Sequence, residues 1–117
     1  MKKSVKRGEI YWLINEGEPN GSVQANTRPC IIVQNDKANF YSLVTIVVVT
    51  TKTIKDKIYP CDVIVDDPSS GLSAPSRIMC NQIFTVELDD LGDKIGKLPD
   101  SIMKEVDIAL KQSLSLI

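Results

Sequence analysis

The segment Tyr41–Thr51, Tyr-Ser-Leu-Val-Thr-Ile-Val-Val-Val-Thr-Thr, limits what this chain can fold into more than any other. Successive β-branched side chains are stiff at χ1 and crowd the preceding turn of a helix, but they pack well on a pleated surface. The segment is expected to be a strand. A second run, Pro29–Gln34, is apolar almost throughout, as in a strand buried on both faces. Gly8–Ile14 alternates and is rich in aromatic and β-branched residues, and it reads as the first strand. Ile58–Val65 and Arg77–Val86 read as two further strands.

The connections carry their own signals. Asn15–Thr27 holds two glycines, a proline and three asparagines, and is long for a loop in a compact domain, a setting where such loops often carry function. Asn35-Asp36 begins a turn, Lys52–Lys57 is a basic connection, and Asp66–Gly71 is dense in turn residues. The tail changes period: Ile102, Met103, Val106, Ala109, Leu110 and Leu114 recur at three and four residues, which predicts a helix with one apolar face. Asp100 or Ser101, just behind Pro99, is the expected N-cap. A shorter helical turn is expected over Leu88–Ile95, flanked by Gly92 and Gly96. With no repeat, linker or low-complexity tract, residues 1–117 are expected to form one domain. The class is mainly β with a C-terminal helix: a small, strongly twisted antiparallel barrel or sandwich packed by that helix.

The chain has no histidine, which removes most familiar hydrolase arrangements and makes a zinc site improbable on chemical grounds. Cys30, Cys61 and Cys80 form no C-x-x-C pair and sit in apolar, strand-like contexts, the pattern of reduced packing residues in a cytosolic protein. No apolar run is long enough to span a membrane, and no secretory signal is expected at the N-terminus. Net charge is −1, which by itself argues against nucleic acid as a ligand. Its distribution is uneven: residues 1–60 carry nine Lys/Arg against five Asp/Glu, and residues 61–117 carry five against ten. Such asymmetry fits a polyanion site on one face or merely solvated charge.

Arg28, at the mouth of an apolar strand, and the pair Thr50-Thr51 are the polar parts that suggest chemistry. Arginine presents parallel N–H donors with a fixed charge, suited to phosphate. Cleavage of RNA by its own 2′-OH needs no external nucleophile or metal. It needs a held phosphate, an aligned 2′-OH and donors for the charge that builds on phosphorus. A threonine hydroxyl adds a neutral donor. Arg28 is a poor resting base, since a guanidinium holds its proton firmly at neutral pH. Asp36 and Glu16 are the nearby carboxylates. From spacing alone, Arg28 is equally an ordinary solvated strand-end residue, and the threonines ordinary strand formers.

Five stretches, Lys6–Tyr11, Arg28–Asp36, Thr50-Thr51, Asn81–Val86 and Ala109–Ile117, resemble in order and nearly ungapped spacing the MazF/PemK-type toxins, the ribonuclease half of bacterial type II toxin–antitoxin pairs. The resemblance implies an SH3-like small β-barrel with a C-terminal helix, the CcdB/PemK-like toxin fold, forming a two-fold homodimer with an RNA groove across its interface. It implies a sequence-specific, metal-independent endoribonuclease of the cytoplasm, with no cofactor and no membrane association. The chromosomal Gram-positive members pair the arginine of Arg-Pro with a threonine closing the third strand. These correspond to Arg28 and, counting back from Pro60, to Thr51 rather than Thr50. Ser22, Gln24, Asn81 and Gln82 are suited to base edges, and Lys52 and Lys55 to flanking phosphates. The implied partners are single-stranded RNA and a cognate antitoxin whose acidic, partly disordered tail covers the cationic groove, with operator DNA bound only through the antitoxin complex.

Two departures from the family pattern stand out. Plasmid-borne relatives carry a late Arg-Cys-Asp-Gln segment, where this chain has Met79-Cys80-Asn81-Gln82. The first loop has Ser22–Asn26 in place of Ser-Glu-Gln-Gly-Gly, which alters the expected base contacts. Alternatives are a CcdB-like gyrase poison of the same fold, although the chain ends Ser113–Ile117 without Trp-Gly, or an inactive antitoxin-binding relative.

Overall fold

The computed structural model describes residues 4–14, 27–38, 42–51 and 57–117. Six strands, β1 (Glu9–Ile14), β2 (Thr27–Ile32), β3 (Leu43–Thr51), β4 (Asp62–Val65), β5 (Ser76–Glu87) and β6 (Leu91–Lys97), are followed by helix α1 (Asp100–Ser113). They form one sheet in the order β4-β5-β3-β2-β1-β6, with every neighbouring pair antiparallel.

β3 lies at the heart of the sheet because both its faces are apolar. Val47 and Val49 join Ile10, Ile31 and Ile78 on one side, where Val106 and Ala109 of α1 complete the cluster. Val44, Ile46 and Val48 pack with Tyr11, Leu13 and Cys30 on the other. This is the two-sided burial expected of a run that offers no polar face.

The two ends of the sheet are brought together by backbone rather than by a further ladder. Gly71, in the left-handed region at φ 92°, caps the short turn Pro68–Ser70 that follows β4. It lies against Ile95 and Gly96 of β6. A Cβ on Gly96 would collide with the Ser70 carbonyl, and one on Gly71 with the Ile95 carbonyl. The sheet is thereby curled into a barrel-like shape with a glycine-to-glycine seam.

A second seam ties the N-terminal segment to the helix. Arg7 donates its backbone N–H to Asp36 Oδ1 at 2.7 Å, its Nε to the Val33 carbonyl at 2.9 Å, and an Nη to Asp107 Oδ1 of α1 at 2.6 Å. Gly8 donates to Ile32 O and accepts from Leu98 N. Below it, the Glu9 carboxylate accepts from Lys6 N, the Tyr11 hydroxyl and Lys94 Nζ. Burial pushes the Glu9 pKa up, but these donors, Lys94 first, outweigh it and hold the carboxyl below its usual range. The same neighbourhood pushes Tyr11 up to about 12, through burial and the adjacent carboxylate.

Three expectations are corrected. Leu88–Ile95 is not a helical turn: only Leu88–Asp90 coils, and the chain then extends as β6, pairing Leu91 with Leu13 and Gly96 with Ile10. The helix cap falls earlier than Asp100 or Ser101, because the Pro99 carbonyl already accepts the first helical bond, from Met103 N. Asp100 instead occupies the first turn, where a carboxylate suits the helix dipole. The fourth strand begins at Asp62 rather than Ile58, since Asp62 Oδ2 accepts from Tyr59 N and closes a turn through Pro60.

Two outcomes follow from these seams. Gly96→Ala is expected to destabilise the fold by about 2 kcal/mol or more, because the opposing atom is backbone. Gly92→Ala, which meets side-chain atoms of Ile14 and the Trp12 Cβ but no backbone, is expected to cost less, and thermal melts compare them. Stability supplied by Glu9 is present above the ordinary carboxylate pKa and lost as pH falls through the lowered folded value. Glu9→Gln is therefore expected to flatten the acid limb of a stability–pH profile.

Candidate functional site

The register of three strands decides where Arg28 lies. Leu13 of β1 pairs with Arg28, and Cys30 of β2 pairs with Val48 of β3. Continued outward, that second register sets Arg28 against Thr50 at the strand ends. Proline at position 29 lacks an N–H, and its ring stands beside Trp12 across the ladder.

Two clefts meet at Arg28. The first, about 560 Å³, is lined by Arg28, Thr50 and Thr51 with Trp12, Pro29 and Ser73 among the other walls. The second, about 470 Å³, is lined by Arg28, Leu13, Gln82, Phe84 and Asp90 among others. Arg28 is exposed and lines both. Thr50 is half-buried, and Thr51 is exposed at the rim.

The chain has three arginines, and their partners separate their roles. Arg7 is engaged by Asp107, Val33 O and Asp36. Arg77 donates to Lys57 O at 2.9 Å and lies 3.8 Å from Asp62 Oδ2. Arg28 forms no ion pair with any described residue. A guanidinium held at the junction of two clefts without a carboxylate partner is suited to an anion, above all a phosphate.

Asn81 and Gln82 owe their placement to a bulge. Val47 pairs with Ile83 but Val48 pairs with Met79, so Cys80, Asn81 and Gln82 of β5 have no opposite number on β3. A bulge of this kind redirects side chains. Gln82 reaches the second cleft, whereas Asn81 is exposed and lines neither. Ser22, Gln24, Lys52, Lys55 and Glu16 lie outside the described residues.

The second half of the Arg-Pro-x-x-x-x-Gln-Asn-Asp segment is structural. Gln34 accepts from Thr45 N and donates to Ala38 O. Asn35 accepts from Lys37 N. Asp36, a candidate base in the sequence, lies beyond the far end of β2 against Arg7 and lines neither cleft, because β2 runs away from Arg28. Trp12, Phe84 and Asp90 were not singled out as site residues from sequence. For Trp12 a signal existed, since it falls out of phase with the buried Tyr11 and Leu13. Among the described residues no three His, Cys, Asp or Glu side chains converge to hold a metal ion. Cys30 and Cys80 are buried thiols raised to about 12, mainly by burial, and behave as packing groups.

A small antiparallel barrel-like sheet backed by one terminal helix, with an exposed arginine and two threonines at its strand ends, defines a mainly β fold with an open cleft at one end. A family model described as PemK-like, MazF-like toxin of type II toxin-antitoxin system matches residues 6–114, and the chain belongs to that family. Endoribonuclease EndoA of Bacillus subtilis (strain 168) is 38% identical over 113 residues, covering 97% of each chain. Endoribonuclease MazF2 of Mycobacterium bovis is 34% identical over 114 residues, covering 96% of this chain and 98% of the relative. Among solved structures, an endoribonuclease in complex with its cognate antitoxin from a mycobacterial species superposes with a TM-score of 0.76 at 26% identity, covering 95% of each chain. A MazE–MazF crystal structure from Deinococcus radiodurans, at 18% identity and a TM-score of 0.76, shares the fold.

The arginine partners predict unequal effects on stability. Arg7→Ala is expected to cost about 1–2 kcal/mol, because charge-assisted bonds between strand and helix are lost at a partly exposed site. Arg28→Ala is expected to leave the melting temperature nearly unchanged, and a matched pair of thermal melts checks this.

Proposed function

We propose that this chain is the toxin of a type II toxin–antitoxin pair and acts as an endoribonuclease on single-stranded RNA, without a metal ion. The observation that carries this reading is Arg28, without an ion pair among the described residues, at the meeting of two clefts, with Thr50 and Thr51 lining the first of them. Relatives that match almost end to end and bear the name endoribonuclease support it.

In this reading the substrate supplies its own nucleophile. The 2′-oxygen bonds to phosphorus as its proton passes to solvent water, the bond from phosphorus to the 5′-oxygen breaks, and that oxygen takes up a proton from Arg28 or solvent, any proton given by Arg28 being returned by water. The products are a 2′,3′-cyclic phosphate and a 5′-hydroxyl. Arg28 holds the non-bridging oxygens and stabilises the charge that builds in the transition state, and its N–H groups are suited to protonating the leaving oxygen. Thr51 adds a hydroxyl donor. It is favoured over Thr50 because it is exposed at the rim, whereas Thr50 is half-buried and opposite Arg77 in the ladder. Metal independence rests on the internal nucleophile, which needs no metal-bound water to attack phosphorus.

Single-stranded RNA suits clefts that require bases to be splayed out of a duplex. Ser22, Gln24, Asn81 and Gln82 are assigned to base contacts, and Lys52 and Lys55 to flanking phosphates. The chain acts as a homodimer in the cytoplasm. A cognate antitoxin is a partner in this reading, since a related endoribonuclease forms a complex with its own, and an acidic tail on it would suit the surface around Arg28. Operator DNA is engaged only through that complex. One inert alternative, an antitoxin-binding relative without activity, is separated by the same assay.

Purified protein incubated with a long single-stranded RNA in EDTA is expected to cut it, leaving cyclic phosphate and 5′-hydroxyl ends. Arg28→Ala is expected to lower kcat by about 100-fold or more, the scale for removing one donor to a developing oxyanion. Thr51→Ala is expected to reduce kcat more than Thr50→Ala. Intact RNA with the wild-type protein, or equal cutting by wild type and Arg28→Ala, would refute the proposal.

A further inference from the structure

Holding and cleaving a phosphate at Arg28 leaves most of the second cleft without a role. Its walls carry three groups of distinct chemistry beside Arg28: the ring of Phe84, the carboxamide of Gln82 and the carboxylate of Asp90. Phe84 is 48% exposed, an unusual position for a phenyl ring in mid-strand. Asp90 is fixed in advance. Its Oδ2 accepts from Glu87 N at 3.0 Å, and the Glu87 carboxylate accepts from Asp90 N in return, a reciprocal cap on the turn Leu88–Asp90. Among the described residues nothing else engages Asp90 Oδ1. Among the described residues Gln82 Nε2 makes only a weak contact, 3.6 Å to Met79 Sδ, which a better acceptor would displace.

We infer that the second cleft is a nucleobase subsite next to the scissile phosphate and favours a base with adjacent N–H donors, guanine above all. The inference rests on the ribonuclease reading. A volume of about 470 Å³ lies in the range of small-molecule sites and admits a purine. The face of the base stacks on Phe84, as unpaired bases stack on aromatic side chains in single-strand binders. The edge of the base meets Asp90. An ionised carboxylate accepts hydrogen bonds and donates none. Guanine presents N1–H and the 2-amino group side by side. Adenine and cytosine place a ring acceptor next to their amino group, and uracil flanks its one N–H with two carbonyls, so each sets a lone pair against the carboxylate. Gln82 Nε2 supplies the complementary donor for guanine O6. Arg28, common to both clefts, fixes this base relative to the phosphate.

The test uses the whole purified protein and a pool of single-stranded RNAs, with the new 5′ ends sequenced. Wild type is expected to show guanine at one position within a nucleotide or two of the cut. Inosine at that position, which lacks the 2-amino group, is expected to lower kcat/KM by about tenfold. Asp90→Asn is expected to reduce the guanine-over-uracil ratio there by about tenfold while leaving preferences at other positions intact. Phe84→Leu is expected to lower kcat/KM by about tenfold at unchanged solution mass. An identical cleavage profile for Asp90→Asn, or a uracil requirement at every position flanking the cut, overturns the subsite alone. So does dissociation of Phe84→Leu into monomers, which would make the ring an interface contact. Absence of any cutting by wild type overturns the ribonuclease reading, and the subsite with it.

Discussion

The site depends on the register of β2 between β1 and β3. Cys30 opposite Val48 and Arg28 opposite Leu13 are one statement about pairing, and they place a guanidinium at the edge where two clefts meet. That register is held by apolar side chains on both faces, with Cys30 and Ile32 packed on one side and Ile31 on the other. A slip by one residue would move Arg28 to the opposite face and bring Pro29 into its place, so burial specifies the position of Arg28 as well as the fold.

The rest of the molecule protects this arrangement from a distance. Arg7 ties the end of β2 to the last helix, and the Gly71–Gly96 contact draws the outer strand inward until it walls the first cleft through Ile95. Charge is allocated with equal economy. Two arginines are engaged in structural pairs, and the third has no ion-pair partner among the described residues. A guanidinium is charged at any physiological pH, so what Arg28 can do is set by where it lies.

Much of this was legible in the sequence, for identifiable reasons. The β-branched density of 41–51 admits few conformations but a strand, and the period of Ile102–Leu114 gave the helix. β6 was not legible. Leu-Gly-Asp-Lys-Ile-Gly-Lys has little intrinsic strand preference, and its glycines, which resemble helix ends, serve close backbone packing instead. The base-sized cleft was hidden by the bulge in β5. With strict alternation, Phe84 would share a face with Ile78 and Cys80. The three extra residues change the phase, so Ile83 takes the helix side while Val86 packs on the other. Likewise, the motif from Arg28 to Asp36 looked like one functional unit. Its first residue faces the clefts, and its last three staple the turn beyond the strand.

The central claim is that Arg28 serves a reaction whose nucleophile belongs to the RNA. The most direct measurement is cleavage, in EDTA, of an RNA carrying a single 2′-deoxy nucleotide immediately 5′ to the preferred cut, beside its all-ribose counterpart. The all-ribose RNA is expected to be cut and to end in a cyclic phosphate, while the 2′-deoxy RNA stays intact at that bond though still bound. Cutting of both at the same rate would show that the nucleophile comes from elsewhere and would contradict the role assigned to Arg28.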